Sequence, residues 1–172
     1  SVAWGIKAIK NNGLESVATT QASTAEIVTR RKESISEEES KLSVENSSSM
    51  LQYRNALGKG VDLEYIVMPS RVKENIILQS AQDIKSYVVT ITTKNLKATL
   101  TERNCVDFIN ASGESVFTMQ SPYMYDGAGE ISEDISIELQ NISEGKYSLI
   151  MVPSSRWLSA SNRVYPVVID PT

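Results

Sequence analysis

The 172-residue chain contains no histidine, a single cysteine (Cys105) and only two phenylalanines. Without histidine, the Ser-His-Asp and Cys-His nucleophile systems and His-ligated zinc are excluded. One thiol permits neither an internal disulfide nor a Cys-rich metal site, and so says little about compartment. Positive charge is also short. Seventeen Lys and Arg against 21 Asp and Glu give a formal net charge of −4, so the clustered basic surface of a nucleic-acid-binding domain is not expected. No apolar run approaches the ~20 residues that cross a bilayer, and no basic segment leading into an apolar one opens the chain. Membrane insertion and a signal peptide are therefore not expected. What is present is a 41% hydrophobic composition, enough to bury the core of one domain spanning 1–172.

The apolar residues recur with period 2. Val2 to Ala8 reads as a first strand, Asn12-Gly13 as a tight turn, and Glu26 to Thr29 as a second strand. Residues 30–49 are poor in apolar side chains and read as a polar excursion, with Ser36 and Glu39 spaced as a capping box. Val61, Leu63, Tyr65 and Val67 alternate with Asp62, Glu64 and Ile66, which predicts a half-buried strand turning at Met68-Pro69-Ser70 into a return strand through Val72, Ile76 and Leu78. Tyr87 to Thr93 is dense in β-branched residues. Shorter strands follow at Ala98–Thr101, Val106–Ile109, Val116–Met119, Ile135–Leu139, Tyr147–Val152 and Val164–Ile169. The turns between them fall at Arg103-Asn104, Ala111 to Glu114, Asp126 to Gly129 and Ser143 to Lys146. About ten short strands without a long helical period predict an all-β antiparallel β-sandwich with minor helix. Pro166 inside the last predicted strand implies an edge or a bulge, because proline cannot donate to a ladder. A start on strand-like Val-Ala-Trp-Gly suggests a fragment of a larger multidomain protein.

Candidate chemistry is sparse. Asp62 and Glu64 project from one strand face, the arrangement of a glycosidase acid and base, but alternation alone accounts for them as charges facing solvent or a neighbouring loop, with Lys73 brought near Glu64 across the ladder. Asp126, Glu130 and Asp134 surround two glycines and offer calcium the hard oxygens it takes, although the spacing fits no EF-hand and a hairpin turn with solvated acids serves as well. Trp157, Trp4 and Tyr125 are the candidates for stacking on a sugar, against the commoner fate of aromatics as core. Cys105 reads as an inert buried thiol in a strand. Asn46, Asn110 and Asn141 head glycosylation sequons in stretches that turns also favour. No catalytic residue and no cofactor emerge.

Four stretches carry a resemblance. They are Tyr53-Arg54-Asn55 through Val61-Asp62-Leu63-Glu64-Tyr65; Val72-Lys73-Glu74-Asn75-Ile76-Ile77-Leu78; Pro122-Tyr123-Met124-Tyr125-Asp126 with Gly129-Glu130; and Trp157-Leu158 with Arg163-Val164-Tyr165-Pro166-Val167-Val168-Ile169-Asp170-Pro171-Thr172. In this order they resemble the β-rich region upstream of the Rhs/YD repeats in bacterial wall-associated (WapA-like) and DNRLRE-domain surface proteins of the polymorphic-toxin kind. The resemblance implies a secreted or cell-surface setting and a non-catalytic structural or interaction module, not an enzyme, whose partners are neighbouring domains of its own chain. The alternative it leaves is a carbohydrate-binding module attaching the parent protein to cell-wall or host glycan.

Overall fold

The computed structural model describes the backbone of residues 2–10, 16–17, 26–28, 49–68, 71–82 and 84–171, with side chains from Met50 onward except 67–72 and 83–85. The polar excursion, the Asn12-Gly13 turn and Pro69 lie outside the described residues, except for Ser49 at the excursion's end. Fifteen strands and one short helix are described: β1 Val2–Lys10, β2 Ser16–Val17, β3 Glu26–Val28, β4 Ser49–Tyr53, β5 Val61–Met68, β6 Arg71–Leu78, β7 Ile84–Thr93, β8 Lys97–Leu100, β9 Val106–Ile109, β10 Ser115–Met119, β11 Tyr123–Tyr125, β12 Ile131–Ser132, β13 Ile135–Ser143, β14 Lys146–Pro153, α1 Ser155–Leu158 and β15 Val167–Asp170. The all-β antiparallel reading holds.

The strands form a five-stranded sheet (β13-β14-β7-β1-β2), a seven-stranded sheet (β12-β11-β15-β6-β5-β4-β3) and a three-stranded sheet (β10-β9-β8). Alternation decides which face of each is buried. β14 turns Tyr147, Leu149 and Met151 inward, β7 adds Tyr87, Val89 and Ile91, and the seven-stranded sheet contributes Val61, Leu63, Ile76, Leu78, Val167, Ile169 and Met124. Val106, Phe108 and Met119 of the small sheet join the same cluster. One core therefore lies between the sheets.

The turns obey their backbone demands. Gly145 closes the β13–β14 hairpin at φ +68°, and a Cβ there would lie 2.6 Å from the Thr93 carbonyl oxygen. Only glycine fits both conditions.

Four local expectations need correction. The last strand is no edge: β15 lies between β6 and β11, and Pro166 is compatible with that because the strand begins one residue later. Of solvent and a neighbouring loop, Asp62 faces the loop, and at 4% exposure it is not the exposed charge expected. Lys73 stands opposite Ile66, diagonal to Glu64 on the same face, and its ion pair is with Asp170 while the direct partner of Glu64 is Asn75. Cys105 is half-buried, its Sγ 3.6 Å from the Arg103 carbonyl, because it lies in the β8–β9 turn and not on a strand with an inward face.

Leu63, 4% exposed within the core cluster, provides a direct check on the packing. Its replacement by alanine is expected to cost about 2–4 kcal/mol, the range for a buried leucine whose neighbours collapse only in part. Urea unfolding monitored by Trp fluorescence measures it.

Candidate functional site

Among the described residues, the face of the seven-stranded sheet opposite the core carries an ordered set of polar side chains. Antiparallel register places Tyr123 opposite Asp170 on β15. Asp170 lies one step beyond the Ile169–Ile76 pair and so stands level with Asn75, which faces Glu64, which in turn faces Gln52. Five hydrogen-bonding side chains thus stand in one row across five strands. A second row beside it runs Tyr125, Val168, Ile77, Asp62.

Contacts bind the rows together. Asn75 Nδ2 donates to Glu64 Oε1 at 2.8 Å. Lys73 Nζ pairs with Asp170 Oδ2 at 2.5 Å, donates to the Tyr123 hydroxyl at 3.3 Å and lies 5.7 Å from that ring's centroid. Burial alone would depress the Lys73 ammonium, but Asp170 and Tyr123 outweigh it and hold its pKa above the ordinary value. Tyr123 and Tyr125 stack with centroids 6.2 Å apart. Burial raises the Tyr125 phenol, which keeps it a neutral donor.

Asp62 is covered because the 54–60 loop folds back onto it. Asn55 takes φ +56° and its N–H donates to Asp62 Oδ1 at 2.7 Å, while Gln79 and Gln52 donate to Oδ2 at 2.9 and 3.3 Å. Three donors compensate the buried carboxylate, so the choice between burial and exposure does not turn on desolvation alone. A glycosidase role for Asp62 and Glu64 gains nothing from this, since Asp62 is closed over by its own loop.

The second cluster binds the C-terminal segment to the β11–β12 turn. Asp126, 3% exposed, accepts on Oδ1 from the N–H groups of Ala128 and Glu130, both at 2.9 Å, and on Oδ2 from Arg163 Nη1 at 2.7 Å and the Val164 N–H at 3.2 Å. The guanidinium lies 3.4 Å over the Trp157 ring, Nε donates to the Trp157 carbonyl at 3.1 Å, and Glu130 Oε2 approaches Nη1 at 3.3 Å. Gly127 N–H donates to the Val164 carbonyl at 2.7 Å, and a side chain there would press on the Val164 and Tyr165 backbone.

These two clusters locate the residues singled out in the sequence. Asp126 and Glu130 do converge, around Arg163, while Asp134 lies apart, its N–H bonded to Ser132 Oγ. Among the described residues no group of three or more His, Cys, Asp or Glu gathers to hold a metal. Trp157 has one ring face covered by Arg163, Tyr125 stands on the polar face, and the Trp4 side chain is outside the described residues. Sequence reasoning missed Asn75, Tyr123, Asp170 and Gln52. The available signal was their shared parity with Glu64 and Tyr125, which becomes visible only once strand order is known.

Comparison with known proteins brings out the wall-associated resemblance. The chain is 30% identical over 119 residues, 65% of its length, to the tRNA3(Ser)-specific nuclease WapA of Bacillus spizizenii, and equally so to the tRNA nuclease WapA of Bacillus subtilis strain 168. The similarity to WapA proteins is thus real and extends over most of the chain. The chain spans about 5% of the length of these relatives. No family model matches it, nor does any solved structure. The names overturn one expectation: the relatives are nucleases, so the reading "not an enzyme" does not stand. That reading rested on the resemblance to a non-catalytic region and on a composition with no histidine and one cysteine, which excludes particular nucleophile systems but not nuclease chemistry in general.

Two measurements test the clusters. Asp62→Ala strands three donors and is expected to cost about 2–3 kcal/mol in urea melts, the range for buried hydrogen bonds to a charged group. For Asp126, burial pushes the carboxyl up, but the Glu130 and Val164 N–H groups, Arg163 and the Ala128 N–H outweigh it and bring the pKa to about 2 from an ordinary 3.8. The unfolded chain therefore binds this proton first as pH falls. The stabilisation is complete above about pH 4 and lost on descending to pH 2. Melting temperatures recorded across that window should fall steeply for the wild type and more gently for Asp126→Asn.

Proposed function

We propose that this chain is a β-rich domain of a long, secreted, wall-associated protein built with Rhs/YD repeats, and that the parent is a nuclease acting on tRNA. Within that parent the domain serves as a structural and interaction module, docking against neighbouring domains. The similarity over 119 residues to WapA nucleases carries the reading. The fold supports it: short turns and a buried ion pair at the C-terminal segment suit a part that must hold its shape between neighbours. No helix among the described residues is long and apolar enough to cross a membrane, which fits a protein held at the wall by other means.

Fractionating cells that express the full-length parent tests the proposal. An antibody to residues 50–171 should detect the protein in wall and culture-supernatant fractions, and the purified parent should cleave tRNA in vitro. Recovery only from the cytoplasm, or a parent that leaves tRNA intact, would overturn it.

A further inference from the structure

We infer that the outer face of the seven-stranded sheet is a binding site for a hydroxyl-rich glycan. The inference is independent of the parent's nuclease activity and rests on which hydrogen-bonding groups this face leaves unused.

Asn75 is 2% exposed, yet its Oδ1 has no hydrogen-bond partner. Orphaned buried acceptors are rare in folded proteins and call for an explanation. Beside it, and among the described residues, Glu64 uses Oε1 alone, to accept from Asn75. The Tyr123 hydroxyl accepts a hydrogen bond from Lys73 and keeps its own O–H to donate. Glu64, Tyr123 and Tyr125 are half-exposed, so their unused capacity faces outward around the orphan. The inventory is weighted toward acceptors, with phenol groups at one end, and a donor-rich partner complements it.

The chemistry narrows the partner. An apolar surface laid on this face would bury Glu64 without new hydrogen bonds, which is costly. A phosphate or nucleic acid would bring like charge to Asp62, Glu64 and Asp170, of which only Asp170 is paired with a cation among the described residues of the face. A saccharide meets neither objection: its hydroxyls donate to carboxylate and amide oxygens, and its C–H face packs on a tyrosine ring. The five-member row repeats at the strand spacing of ~4.8 Å, offering polar groups in series to a linear chain lying across the strands. Asn75 would be reached through a small shift of the half-exposed Glu64 side chain hydrogen-bonded to it.

The test uses the 172-residue chain against insoluble chitin, cellulose, xylan and purified peptidoglycan, followed by isothermal titration with the hexasaccharide of any polymer that retains it. Wild type should be retained on at least one polymer. Tyr125→Ala and Glu64→Ala should each weaken binding tenfold or more, Tyr125→Phe less, and Glu138→Ala on the exposed side of β13 not at all. Thermal melts of each variant separate lost binding from lost folding, and Glu64→Gln substitutes for Glu64→Ala if the latter is unstable. Failure of the wild type to bind any of the four polymers, or unaltered binding by folded variants at both Tyr125 and Glu64, would overturn the inference.

Discussion

The largest sheet depends on a strand contributed by the far end of the chain, and that strand is held in place by the Asp126–Arg163 pair. β15 inserts between β6 and β11, so two halves of the seven-stranded sheet meet only through it. The segment leading to it has no regular structure beyond the four residues of α1, and its course is set by Arg163, stacked on Trp157 and paired with Asp126. A lysine could not replace that arginine, because stacking, two-carboxylate pairing and the bond to the Trp157 carbonyl all use a flat guanidinium with several fixed donors. The β11–β12 turn, the short helix and β15 thus behave as one unit. Through β15 that unit positions Val167 and Ile169 on the core side and Asp170 on the polar side.

The polar face follows from this insertion. Tyr123 and Tyr125 come next to Lys73 and Asn75 only because β15 bridges β11 and β6, supplying Asp170 as the link between them. The same alternation that gives the core its leucines and isoleucines gives the opposite face its amides, carboxylates and phenols. Core and polar surface are two readings of one register, and a slip by one residue in β15 would exchange them.

Much of this was legible before the structure. Period 2 from Val61 onward, β-branched runs such as Tyr87 to Thr93, and turns at Asn104, Gly129 and Gly145 are local signals, and the strands and turns fall at or near those places. What was not legible is non-local. Asp126 and Arg163 are far apart in the chain, with nothing in either neighbourhood pointing to the other. Asp62 was expected to face solvent or a neighbouring loop, because alternation marks a face without saying what folds over it, and a loop with Asn55 in the left-handed region does so here. Pro166 suggested an edge strand because sequence cannot say whether a strand begins one residue before or one residue after a proline.

A central strand that is the last of those described in sequence order has a consequence for how the sheets close. Val167 pairs with Leu78 and Tyr87 with Met151, so the sheets are closed by partners separated by much of the chain, and loop-closure entropy must be met before those pairings return any energy. While the chain is still emerging, β6 and β11 lack the neighbour that will join them, and their apolar residues have no completed core to enter. Pairings of such high sequence separation slow folding in general. Until β15 joins them, the two halves of the seven-stranded sheet remain separate extended segments with unpaired edges.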